Sequence, residues 1–153
     1  MTNKPINSNK NSGMSLIVKT ISRLISGLIF LYGIYIVAHG HLTPGGGFGG
    51  GMILASSFIL MVLSLGSERK LSERFKLNSS LAESLGILIF WFLAIFGLIL
   101  GSIFFLNFLG KGRPFHLLSG GIIPLCNIGI GLEVAGAISA VFIIFIIWKE
   151  KGA

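Results

Sequence analysis

Charge is what this chain has least of. Asp, Glu, Lys and Arg make up 11% of its 153 residues, whereas a soluble domain carries about a quarter. Acidic residues number five and cysteine one, Cys126. A single thiol excludes an internal disulfide and any cysteine-based metal cluster, leaving a packed, inert side chain as its ordinary role. No Ser/His/Asp, Cys/His or paired-carboxylate constellation stands out, so stand-alone enzyme chemistry has no carrier. His39 and His41 flank Gly40, but a His-x-His pair needs a third ligand of matching spacing to hold zinc, and none lies nearby. His116, beside Arg113, is too weak a partner to change that. Neither a metal site nor a cofactor is expected.

The net charge of +7 does not point to nucleic acid. The basic residues sit beside the ends of apolar runs, where membrane topology places them, and no stretch interleaves them with aromatics.

What the chain does have is apolar length. Hydrophobic residues make up 53% of it and mean hydropathy is +0.90. The few charges cluster between long neutral runs, as in an integral membrane protein. Residues 1–13 are polar, rich in Asn, Ser and Lys, and read as a disordered tail. No cleavage site follows the first apolar run, so a signal peptide is not expected. Residues 14–153 read as one four-helix membrane domain.

The first span runs from about Leu16 to Ala38, with Lys19 and Arg23 on one face at its base and Tyr32 and Tyr35 near its far end. The second starts within a glycine segment and continues to about Leu65, where Ser56 and Ser57 are expected to bond back to helical carbonyls. A charged connector, 66–77, follows. The third span lies between Glu83 and Lys111, uncharged throughout. It contains Gly97 and Gly101, a GxxxG pair of the kind that lets helices approach closely in a bilayer. The Gly120-Gly121 pair and Pro124 suggest an irregular or re-entrant segment up to Cys126, with a fourth span from about Asn127 to Trp148. With the N-terminus inside, ten of the twelve Lys and Arg residues are cytoplasmic. The positive-inside bias thus predicts four transmembrane helices with both termini in the cytoplasm and the glycine segment as an outer loop.

That segment, Gly40-His41-Leu42-Thr43-Pro44-Gly45-Gly46-Gly47-Phe48-Gly49-Gly50-Gly51, packs six glycines into seven positions around Phe48. Such density signals unusual backbone angles or close approach. Gly45, Gly47 and Gly50 match G-x-G-x-x-G, but a dinucleotide site needs a βαβ unit around it, and here both neighbours are membrane spans. With no ligand-grade side chain between Pro44 and Gly51, the segment is expected to act through backbone shape, with Phe48 as its anchor.

Glu133 is the carboxylate embedded in a predicted span, six residues after Asn127. An ionisable group at that depth marks an ion path or a buried partner. Gly129, Gly136 and Ala140 share its face, so it should look onto a close-packed helix. Two roles stay open: an ion or proton role, or a structural bond to another chain.

The glycine segment closely resembles the signature of the MnhB/MrpB family, approximately G-H-x-x-P-G-G-G-F-x-G-G. That family comprises the B subunits of multisubunit Na+/H+ antiporters. The resemblance covers about residues 16–148 and includes the placement of the signature between the first two spans. It implies a non-catalytic accessory subunit of a cation/proton antiporter complex in the cell membrane, with other antiporter-module subunits as partners and Na+ and H+ as transported ions. The last span departs from the antiporter pattern. Where an Asp-containing Phe-Asp-Leu-Gly-Val-like run is expected, this chain has Asn127-Ile128-Gly129-Ile130-Gly131-Leu132-Glu133-Val134. An Asn followed by a membrane-embedded Glu is more similar to homologues in membrane-bound hydrogenases and related ferredoxin-driven complexes. A purely structural scaffold is the third alternative.

Overall fold

The computed structural model describes residues 15–65, 69–101, 103–110, 112–113, 116 and 119–151. The polar tail, 1–13, and Lys111 lie outside the described residues. Four helices carry the fold: α1 (Leu16–Ala38), α2 (Gly46–Leu65), α3 (Arg69–Gly101) and α4 (Ile123–Lys151). All four contain stretches long and apolar enough to cross a bilayer, for which about 20 residues suffice.

The helix ends have local causes. Ser15 caps α1, its hydroxyl accepting the Val18 N–H at 3.4 Å, which satisfies one of the free donors of a first turn. Gly45 and Gly46 take φ of 119° and 56°, angles that a side chain would resist, and α2 departs from them. Five glycines of the segment therefore lie in the opening turns of α2, and the connection that remains, 39–45, is short. At α4 the irregular segment expected up to Cys126 is helical from Ile123. Pro124 occupies the first turn, where its missing N–H has no intrahelical acceptor to lose. The Asn107 side-chain oxygen accepts the Ile122 N–H at 3.1 Å just ahead of it.

α3 also begins earlier than charge alone suggests. Residues from Arg69 onward are helical and run without a break into the apolar stretch Arg74–Gly101. Residues 69–77 of the expected connector are the first part of the third helix.

α1 packs on α2, α2 on α4, and α4 on α3, with minor contact between α1 and α4. The central element is thus α4. The interior holds small side chains: Ala55, Ala94 and Ala135 are buried, as are Ser26, Ser57, Ser64 and Ser139. Leu28, Trp91, Ile99 and Phe145 are more than half exposed. This inverts the soluble pattern, as expected where lipid is as apolar as leucine and helices associate through close packing and interhelical hydrogen bonds. One such bond joins α1 and α2. Ser57 does not bond back within its own helix; its hydroxyl donates to the Ser26 carbonyl at 3.0 Å, while Ser56 bonds to Ile53 as expected.

The packing ranks two substitutions. At Gly51 a Cβ would lie 2.8 Å from the Gly131 carbonyl oxygen of α4, and overpacking of that kind costs about 1–3 kcal/mol. Losing the Ser57 bond costs about 0.6 kcal/mol. Thermal unfolding in detergent should therefore show Gly51→Val lowering the midpoint several-fold more than Ser57→Ala.

Candidate functional site

Two places bring the sequence-selected residues together, one on each side of α4. The first is the corner where α1 turns into α2. His39 ends α1, stacked on Tyr35 at 4.2 Å between ring centres, with Nδ1 3.0 Å from the Tyr35 carbonyl. The His39 carbonyl oxygen accepts the N–H groups of Leu42 and Thr43 at 2.8 and 3.0 Å and the Thr43 hydroxyl at 3.1 Å. Thr43 and Pro44 then lead into the two left-handed glycines.

Asn127, in the second turn of α4, sits under this corner. Its Nδ2 lies 2.7 Å from where a Cβ on Gly40 would be, and its Oδ1 3.6 Å from the same point on Gly46. A Cβ on Gly47 would come within 2.5 Å of the Asn127 carbonyl oxygen. Glycine is needed here for space as well as for angle. Next to Gly40, the His41 ring packs on Gly120, and its Nε2 lies 3.2 Å from the His116 carbonyl. Nε2 therefore donates, which leaves Nδ1 as an acceptor. Among the described residues, both His41 Nδ1 and Asn127 Nδ2 are buried without a hydrogen-bond partner. Buried polar atoms of this kind are ordinarily satisfied by water or by a neighbouring chain.

Not every residue of the segment faces inward. A Cβ at Gly49 would meet nothing within 4 Å, and Phe48 is 61% exposed. Phe48 points away from the α2–α4 contact, because the face of α2 that carries Gly47 and Gly51 is the one turned to α4.

The second place is the seam between α3 and α4. A Cβ on Gly86 would lie 2.5 Å from the Glu133 backbone nitrogen and 2.6 Å from the Gly129 carbonyl oxygen. A Cβ on Gly136 would lie 2.5 Å from the Glu83 nitrogen and 2.6 Å from the Ser79 carbonyl oxygen. The two sets of contacts are the same contact made twice. Glu83-x-x-Gly86 on α3 and Glu133-x-x-Gly136 on α4 seat each glycine on the other helix's glutamate backbone, related by a local two-fold. The repeat sets Glu83 and Glu133 on the same seam, each with its backbone against the glycine of the other helix. Glu83, which charge placement alone sets at the edge of the third span, lies opposite Gly136, near the middle of α4. Asn127 and Glu133 face different neighbours, the corner and α3 respectively.

Gly97 and Gly101 have another use. Positions for a Cβ on Gly97 are taken by the Leu106 backbone at 2.6 Å, and Gly101 meets the Leu106 side chain. The loop after α3 thus folds back over the GxxxG face, turning at Phe105 with φ 59°, so within this chain the pair receives a loop and not a helix. Among the described residues no group of three His, Cys, Asp or Glu side chains gathers to hold a metal.

Residues 17–140 match the model of a domain related to the MnhB subunit of Na+/H+ antiporter. The chain belongs to the MnhB family. Among curated relatives, an uncharacterised protein of Methanocaldococcus jannaschii is 37% identical over 135 residues, covering 84% of this chain and 51% of that one. A putative antiporter subunit of Staphylococcus aureus is 38% identical over 58 residues, 38% of this chain and 41% of that one. The chain thus spans about half the length of these curated relatives. Among solved structures, a chain of the membrane-bound sulfane sulfur reductase, an archaeal respiratory membrane complex, is similar with a TM-score of 0.66 and 31% identity. That match covers 86% of this chain and 57% of the other.

The MnhB signature was visible as a motif; the seam that carries Glu133 and Glu83 was not. The signal that could have found Glu83 is the repeat of Glu-x-x-Gly fifty residues apart, which only helix pairing gives meaning. The corner separates its glycines by what lies against them. Gly47→Val should abolish co-purification of this MnhB-type chain with neighbouring subunits. Gly49→Ala should leave it intact, since a Cβ there enters open space.

Proposed function

We propose that this chain is an accessory, non-catalytic membrane subunit of a multisubunit Na+/H+ antiporter complex, where it helps to form or brace the cation path. The observation that carries the reading is that Glu83 and Glu133 both lie on the α3–α4 seam, each with its backbone against a glycine of the opposite helix, within apolar stretches. Carboxylates in such a place are costly unless paired, hydrated or protonated, and mark ion and proton pathways. Glu133 and Glu83 would offer a cation or a proton two neighbouring oxygen-bearing groups. Asn127, with its free amide, would contribute at the corner.

In this reading both termini face the cytoplasm of a cell membrane, because the Lys and Arg residues concentrate at the chain ends and between the second and third spans. The glycine corner then faces outward. Its orphaned Asn127 and His41 atoms would meet water or a neighbouring subunit.

A second reading places the same module in a redox-driven complex. The Asn127 and Glu133 pattern favours it, and so does the likeness to a chain of a respiratory membrane complex over 86% of the present one. Gentle purification of the native assembly followed by mass spectrometry separates the two. Subunits bearing Ni–Fe or Fe–S ligands support the redox complex; antiporter subunits alone support the first reading.

Transport tests the residue assignment. Glu133→Gln should lower Na+-dependent H+ movement in membrane vesicles by about tenfold or more while assembly persists, and Glu83→Gln should act in the same direction. Unchanged transport in both assembled variants would reduce the seam to a packing device.

A further inference from the structure

A cleft of about 440 Å³ opens among all four helices, walled by Phe30 of α1, Phe58 and Val62 of α2, Asn78 of α3, and Ser139 and Phe142 of α4. On α4 it runs from Leu132 to Ile146, about 21 Å at a rise of 1.5 Å per residue. It therefore extends from near the middle of α4 toward its charged end, the depth of one leaflet. A helix from another subunit would run the full span and not half of it. The shape suits a polymethylene chain.

Beside it lies a second, more open groove of about 880 Å³. The two share Phe142 and Ile146 as a common ridge, and the second ends at Trp148 and Lys149. Two apolar grooves separated by one ridge, both directed to the same membrane boundary, complement a ligand with two tails. The boundary is basic. Arg74 lies one turn before Asn78 on the same face of α3, Lys149 lines the second groove, and both side chains are exposed. Long basic side chains at a helix end extend toward the interface while their stems stay on apolar surface, and both arginine and lysine bind phosphate oxygens.

We propose that this face binds one anionic phospholipid from the leaflet at the charged end of α4. One acyl chain lies in each groove, straddling the Phe142 and Ile146 ridge, and the phosphate sits against Arg74 and Lys149. The lipid would fill the gap between α2 and α3, both of which pack on α4.

The test is lipid retention in native mass spectrometry. The full chain, purified with the subunits that co-isolate in mild detergent, is exchanged with dioleoyl phosphatidylglycerol or dioleoyl phosphatidylcholine. The anionic lipid should be retained about tenfold more strongly, and Arg74→Gln with Lys149→Gln should bring the two lipids close to parity. Lys19→Gln with Arg23→Gln, at the base of α1, should leave the preference unchanged. Equal retention of both lipids by the natural chain would overturn the proposal. So would an equal loss in the two double variants, which would mean general surface charge. A third result would overturn it as well: an Ala135→Cys variant whose thiol, placed in the cleft, cross-links to a protein subunit in place of a lipid.

Discussion

The structure depends on backbone meeting backbone at α4. In hydrocarbon an exposed leucine loses nothing, so burying apolar side chains supplies no force to hold helices together; what remains is dispersion between closely packed surfaces and the occasional interhelical hydrogen bond. Dispersion decays within a fraction of an ångström beyond contact. The helices must therefore come together where nothing projects between them. Gly47 and Gly51 of α2 rest on the Asn127 and Gly131 carbonyls of α4, and Gly86 of α3 rests on Glu133. Most bulky residues are correspondingly displaced outward, and the core is mainly Ala, Ser and Val, with Ile122 and Ile143.

The same constraint explains why polar groups occupy these seams. A side chain at the edge of a glycine contact is carried inward by the closeness of the two helices, whatever its own preference for water. Asn127 is held under the Gly40 and Gly46 corner in this way. Glu83 and Glu133 are each fixed by the glycine of the opposite helix. Packing and candidate chemistry thus share residues: enlarging a seam glycine displaces a candidate side chain, and removing that side chain leaves the helix contact in place.

Much of this was readable from the residues alone. The four apolar runs, the glycine signature and the isolation of Glu133 are properties of short stretches, and composition is enough to locate them. Boundaries set by charge were less dependable. Glu83 read as the edge of a span because a carboxylate normally belongs in water, yet it lies on a continuous helix that begins at Arg69. Pro124 read as a break because proline ends helix interiors, yet at the second position of α4 it has no bond to break. Gly97 and Gly101 showed only that something approaches closely. That the neighbour is the loop at Leu106 depends on a chain reversal no local pattern encodes. The seam itself pairs residues fifty apart, and periodicity within one helix carries no information about register between two.

Contact on both flanks also limits how α4 can move. Sliding it by a single residue, about 1.5 Å, would drive the Gly131 carbonyl along Gly51 on one side and Glu133 along Gly86 on the other, where spacing is already near its minimum. Helices that act as pistons are better served by interdigitating side chains, which can change rotamer as they pass. A helix seated through backbone on both neighbours is suited to holding groups at fixed depth. Any ion movement along this subunit would then proceed through protonation, hydration and side-chain rotation at Glu83, Glu133 and Asn127, around an α4 that stays in register. This physical economy suits the proposed bracing role, in which the carboxylates hold position and do not travel.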